Sequence, residues 1–318
     1  MDRTVLSFYC DDTSPYGLPK GTFRTFLDFV SSEGIAGESS VILGYGWAEH
    51  GLLSRPTTDR QHAYIEQLQR APACGIDAHM ELMTHWGLYD FERDQMPEDA
   101  GHEGVWLYEP GVSVEAYQSY FRHIIAEGAG IGVRFSGLTW PGCGCDVCTQ
   151  RYRELRATGL TDVNPDVWHG QTEVNPNLWL ALLNLAKEGQ FRGHTVPCFI
   201  GDEQERGRAR LKAREGIYGV YDLPPNAKDR LGTWRNDPAY VDADYYITAN
   251  GESGRIVELV RARAPYCLFY AHWQGLNPAN GVGWDAFRRV VERIQKHLRD
   301  RVVWMRPSEF TDHIARGG

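Results

Sequence analysis

The chain has 318 residues, of which 42% are hydrophobic and 24% charged; these proportions mark a folded globular protein and exclude disordered, collagen-like and coiled-coil classes. Its length fits either two domains of ordinary size or one large α/β barrel. The formal net charge of −9, with no basic stripe, excludes a nucleic-acid partner, because phosphate backbones are gripped by clustered Lys and Arg.

Strand-like and helix-like segments alternate from the first residues onward. Val5 to Cys10 is expected to be a buried strand and Thr22 to Ser32 a helix. Ser40 to Gly44 is a second strand, Thr58 to Arg70 a helix, and Ile76 to Met83 a third strand ending near His85. Val114 to Glu127 is helical, Gly132 to Ser136 a fourth strand, and Cys145 to Ala157 and Leu178 to Glu188 are helices. His194 to Ile200 is a fifth strand, followed by a charged helix over Glu203 to Arg214. Asp244 to Thr248 is a sixth strand, Gly254 to Ala262 a helix, Tyr266 to His272 a seventh strand and Asp285 to Leu298 a helix. Val302 to Met305 leads into a last helix after Pro307.

This alternation predicts right-handed βαβ units on a parallel sheet. No Gly-rich phosphate fingerprint occurs, which favours a distorted TIM-like (β/α) barrel of seven or eight units in one domain. Two polar stretches, about 158–177 and 222–241, read as insertions at the rim, where long loops are often functional. No run of about 18 apolar residues predicts a membrane span. Scattered Cys residues and a start without a signal-peptide pattern predict a cytoplasmic protein.

In a parallel barrel the chemistry sits at the carboxyl ends of the strands. The expected strand ends there carry Asp11, Asp12, Glu81, His85 and His272, with Arg134 on the fourth strand. Carboxylates and imidazoles converging on one rim suit a divalent metal, zinc, that lowers the pKa of a bound water. An Arg would keep a neighbouring carboxylate ionised, and a separate His would protonate the leaving group. Aromatic residues make up 12% of the chain. Trp47, Trp86, Trp140 and Trp273 follow four strands, so a rim that stacks on carbohydrate is expected. The alternative is that these rings plug the mouth. Cys143, Cys145 and Cys148, three thiols in six residues, are candidate ligands of a structural zinc; the bland reading is a packed loop.

The order Asp11-Asp12, then Glu81 and His85, then Leu268-Phe269-Tyr270-Ala271-His272, resembles polysaccharide deacetylases of the NodB-homology type (carbohydrate esterase family 4). It is also similar to a divergent branch of the glycoside hydrolase/deacetylase barrel superfamily. The resemblance implies removal of an acyl group from a sugar by metal-activated water. It implies Asp11 as base, Asp12 and His85 as metal ligands, Arg134 as the partner of Asp11, and His272 as acid. Position 89 is Tyr89 where the family carries its second His, and Asp90 is the substitute ligand. His79 lies six residues before His85, about 20 Å along an extended strand, too far to share a metal. Two alternatives stand beside this. One is a metal-independent glycoside hydrolase using two carboxylates among Asp11, Asp12, Glu49, Asp202 and Glu203. The other is a barrel that binds sugar without turning it over.

Overall fold

The computed structural model describes residues 3–43, 52, 58–81, 111–139, 175–199 and 208–317. The first strand, β1 (Thr4–Thr13), alternates cleanly. Leu6, Phe8 and Cys10 join the large apolar core shared with the helices, whereas Val5 and Tyr9 join a second, smaller cluster. That period of two puts one face of the strand against helices and the other towards an interior.

Among the described residues eight further strands follow: β2 (Gly37–Val41), β3 (Ile76–Glu81), β4 (Gly137–Thr139), β5 (Thr195–Phe199), β6 (Arg210–Glu215), β7 (Tyr218–Asp222), β8 (Tyr266–His272) and β9 (Val302–Trp304). They form one sheet in the order β6-β7-β5-β4-β3-β2-β1-β8, with β9 also on β1. Every pairing is parallel except β6 with β7. The sheet curls shut. Tyr9 of β1 stacks on Phe199 of β5 with ring centroids 4.7 Å apart, although three strands lie between them. The ring is completed by the segment after β7. Ala227 bridges Phe269, and the buried Asn226 side chain donates to the Tyr266 carbonyl (3.0 Å) and accepts from the Leu268 N–H (2.9 Å). One amide side chain thus supplies the ladder bonds that a strand would have made. The fold is the expected α/β barrel.

The helices among the described residues are α1 (Thr22–Glu33), α2 (Asp59–Arg70), α3 (Val114–Gly130), α4 (Pro176–Lys187), α5 (Ala243–Tyr246), α6 (Arg255–Arg261), α7 (Trp273–Leu276), α8 (Trp284–Leu298) and α9 (Pro307–Ala315). In α8 the buried residues Phe287, Val290, Val291, Ile294 and Leu298 recur at helical spacing and face the barrel. The last helix closes the base. Phe310 enters the interior cluster, the Ser308 N–H donates to Asp77 at 2.9 Å, and Thr311 meets Thr195 at 2.7 Å. Among the described residues no helix is long and apolar enough to cross a membrane.

Three expected elements are corrected. Gly132 to Ser136 is not a strand, because its first residues still close the C-terminus of α3, with the Val133 N–H on the Gly128 carbonyl. The described part of the charged stretch 203–214 is not a helix; Arg210–Glu215 turns at Gly216 (φ 59°) into an antiparallel hairpin with β7. Asp244 to Thr248 is not a strand either. Asp242 accepts from the N–H groups of Asp244 and Tyr245 (3.0 and 3.1 Å), and this N-cap winds Ala243–Tyr246 into a helical turn. The sixth parallel strand of the barrel is Tyr218–Asp222, just before the expected insertion at 222–241.

Candidate active site

The carboxyl ends of β1, β2, β3 and β8 meet at the mouth of the barrel. Asp11 continues the inward row of β1 and lies directly opposite His272 of β8 in register. One residue later the pairing with β2 slips, and Asp12 takes a left-handed backbone (φ 60°). Such an irregularity re-aims its neighbours. Here it directs the Asp12 N–H onto Glu81 Oε2 (3.1 Å), while Asp12 Oδ2 accepts from the Gln274 amide (3.0 Å). Ser40 of β2 joins the carboxyl groups: its hydroxyl is 2.7 Å from Glu81 Oε2 and 3.4 Å from Asp11 Oδ1. Both carboxyls are therefore within reach of one small side chain. Deeper in the barrel, Glu38 is fully buried, 3.7 Å from His79 Nδ1.

The His272 ring is held from outside the strand. Its Nδ1 is 2.8 Å from Asp229 Oδ2, which also accepts the His272 N–H at 3.2 Å. The other Asp229 oxygen accepts the Leu231 N–H at 2.8 Å. Asp229 is thus fixed by its own loop before it meets the imidazole, and Nε2 is the ring's remaining nitrogen for a ligand.

Burial and crowding set the charges. Burial pushes the Asp11 carboxyl up from 3.8 to about 8; the His272 charge and the Ser40 bond oppose this, and the Asp12 and Asp229 charges add to it. Burial also raises Glu81 well above the carboxylate range, reinforced by Asp12 and Asp11. Glu38 is raised for the same reasons, burial first and then Asp11 and Glu81. Burial alone would lower His272, but its bond to Asp229 and that residue's charge outweigh it and lift the ring to about 9. Burial drops His79 to about 3, only partly opposed by its hydrogen bond to the Leu138 backbone. Like charges in a water-poor site cannot all ionise. At neutral pH Asp11 and Glu81 are therefore protonated beside a charged imidazole that Asp229 holds.

The expected trio Asp11, Asp12 and His272 is brought together, and Glu81 faces inward, on the Asp12 N–H and the Ser40 hydroxyl. Two expected members are elsewhere. Arg134 is exposed, ahead of β4, and donates to the carbonyls of Gly189 and Phe191 (2.6 and 2.8 Å). It ties two loops at the amino ends of the strands and does not pair with Asp11; the cation facing Asp11 is His272. Trp273 is 3% exposed and packs edge-on against Phe23 and Phe26 of α1, with its Nε1 donating to the Ser14 carbonyl. It follows an inward-facing residue, so alternation turns it outward into the core and not onto a sugar. Trp47, Trp86, Trp140, His85, Tyr89, Asp90, Cys143, Cys145, Cys148, Glu49, Asp202 and Glu203 lie outside the described residues.

Sequence reasoning missed Asp229, Ser40 and Gln274. Asp229 falls in the 222–241 stretch flagged as functional, but no spacing links it to a His 43 residues further on. Among the described residues no group of three or more His, Cys, Asp or Glu could hold a metal ion. The nearest donors are committed elsewhere: Asp12 Oδ2 to Gln274, Glu81 Oε2 to Ser40, and His272 Nδ1 to Asp229. Of the ligands expected at the mouth, Asp12 is among the described residues, and His85 and Asp90 are not.

No protein-family model matches the chain, and no curated protein is similar to it. Solved structures with weak likeness to the chain include two glycoside-cleaving proteins. One is the exo-β-1,4-mannosidase Op5Man5 from Opitutaceae bacterium strain TAV5, at 10% identity and a TM-score of 0.37, covering 99% of this chain and 59% of that one. The chain thus spans about three-fifths of that protein's length. The other is a GH113 β-1,4-mannanase, at 12% identity and a TM-score of 0.40, covering 93% of this chain and 100% of that one. Likeness this slight decides nothing about chemistry, and the barrel stands on its own strand order.

Proposed function

We propose that this chain is a hydrolase of carbohydrate that cleaves a glycosidic bond by carboxyl acid–base chemistry at the barrel mouth. One observation carries the reading: Asp11 lies at the mouth opposite His272 and within 3.4 Å of the Ser40 hydroxyl, next to a second carboxyl group, Asp12, that Gln274 orients. Acetal cleavage requires one carboxyl that is protonated at working pH and one carboxylate that acts as nucleophile or activates water. Asp11 supplies the first, donating its proton to the leaving oxygen. Asp12 supplies the second. His272, kept cationic by Asp229, opposes negative charge as the carboxyl gives up its proton. The buried Glu81 holds the Asp12 backbone in place.

The test uses nitrophenyl β-glycosides of mannose, glucose and N-acetylglucosamine. Release of nitrophenol that persists in EDTA and disappears in Asp12→Asn supports the reading. Absence of turnover across the glycosides, including polymeric substrates, overturns it. A second reading rests on the meeting of Asp11, Asp12 and His272, the three positions the deacetylase resemblance assigns to base, ligand and acid. It predicts acetate release from acetylated sugars that EDTA and Asp12→Ala abolish.

A further inference from the structure

Among the described residues, six large hydrophobic side chains are exposed, and three of them belong to one feature of the rim: Trp234 (59%), Tyr240 (42%) and Val282 (36%). The feature is the loop that leaves the mouth at Asp229, together with the α7–α8 connection that holds Val282 against it. It is built to be stiff. Leu231 pairs with Val241 in an antiparallel bridge, and the Asp237 N–H returns to the Gly232 carbonyl at 2.8 Å. The Asn236 side chain accepts from the Val282 N–H (2.9 Å) and donates to the Asn280 carbonyl (3.0 Å). The loop presses onto the α7–α8 connection so closely that a Cβ at Gly275 or Gly283 would overlap the Leu231 carbonyl oxygen. Within it, Thr233 and Asn236 hold left-handed backbones (φ 58° and 52°) on either side of Trp234 and Arg235. For a β-branched residue such a conformation costs about 1–3 kcal/mol and persists where surrounding bonds impose it. All of this holds an indole ring in water, with the Arg235 guanidinium 4.8 Å from its centroid.

We infer that Trp234 is a carbohydrate-stacking subsite, set beside the acid–base mouth by the loop that also positions His272 through Asp229. The inference rests on the carbohydrate reading of that mouth. A rigid apolar ring with a few donors beside it is what a sugar's alternating C–H face and hydroxyls require. A protein partner would need about 800 Å² of surface, far more than three side chains offer. Trp234 is five residues along the chain from Asp229, at most about 18 Å, so the ring is within a few sugar units of Asp11. Binding here would favour chains over single sugars.

The experiment titrates β-1,4-linked mannohexaose, cellohexaose and chitohexaose calorimetrically into the full chain carrying Asp11→Asn, which blocks turnover. At least one hexaose should bind. Adding Trp234→Ala should weaken it at least about tenfold, the loss typical of an aromatic anchor, and Trp234→Phe should recover most of it. Ile217→Ala, at an equally exposed position on the β6–β7 turn (59%), is the control and should change nothing. Affinity unmoved by Trp234→Ala, or no binding of any hexaose, overturns the subsite. Trp234-dependent binding by a protein that cleaves no glycoside keeps the subsite and overturns the hydrolase.

Discussion

Replacing Asp11 by Asn keeps the shape of a neutral carboxyl and removes its proton. In the folded protein burial holds Asp11 up at about 8, against an ordinary 3.8. Between about pH 4 and pH 8 the unfolded chain has lost this proton while the folded chain retains it. The folded state then binds one proton more. Its stabilisation is fully present below about pH 4 and is lost as pH rises through about 8. The slope is about 1.4 kcal/mol per pH unit, which amounts to about 5 kcal/mol across the window. Asn carries no such proton. The stability of Asp11→Asn relative to the parent should therefore climb by about 1.4 kcal/mol per unit from pH 5 to pH 8 and level off above. Urea unfolding of both proteins in matched buffers from pH 5 to pH 9 measures this, and the other titrating groups largely cancel in the difference. Two parallel stability curves would refute a neutral Asp11, and the acid role would fall with it. In the same buffers, kcat/KM of the parent on an aryl glycoside should decline above about pH 8.

Asp229→Asn should let the His272 ring fall from about 9 towards its ordinary 6.5, read by NMR titration of the imidazole. The stabilisation from that raised ring is complete below about pH 6.5 and lost through about pH 9, so the variant should be hurt more at pH 6 than at pH 10. Asn226→Ala should cost at least about 2 kcal/mol in urea unfolding, because it strands the buried Tyr266 carbonyl and Leu268 N–H. Trp273→Ala should cost about 3–5 kcal/mol as a core deletion; parental stability with lost sugar binding would return Trp273 to the rim.

The barrel was legible because parallel strands buried on both faces leave apolar runs separated by amphipathic helices. Val5 to Cys10, Tyr266 to His272 and Asp285 to Leu298 carry that pattern strongly. The pattern failed where a local polar group or a turn overrode it. Asp242 caps a helical turn out of Ala-Asp-Tyr-Tyr, and Gly216 makes a hairpin of a charged stretch that has helical composition. In the site, Asp11 and His272 were legible because each ends a strand. Asp229 was not, because its place opposite His272 is set by Asn226 closing the barrel, a contact across 40 residues that no local spacing records. Arg134 shows the converse error: an Arg near a strand was given to the mouth, although it precedes the strand and therefore serves the opposite end.

The raised carboxyls of the mouth depend on what lies beneath them. One step below Asp11 on β1, the Tyr9 ring stacks between Phe199 (4.7 Å) and Tyr270 (5.3 Å), and the neutral His79 ring lies on Phe199 at 5.1 Å. These rings form a floor across the barrel, and Phe199 touches two of the others. If the floor keeps water from the carboxyls, burial is its work, and burial is the largest cause of the Asp11 shift. Phe199→Ala should open the floor, admit water and move the Asp11 titration down from about 8 towards 3.8, at a stability cost of about 3–5 kcal/mol. Phe199→Leu keeps the space filled and should leave the titration in place. Carboxyl NMR of labelled Asp reads both. A titration equally high in Phe199→Ala would show that the neighbouring charges of Asp12 and Asp229, and not the aromatic floor, keep Asp11 protonated.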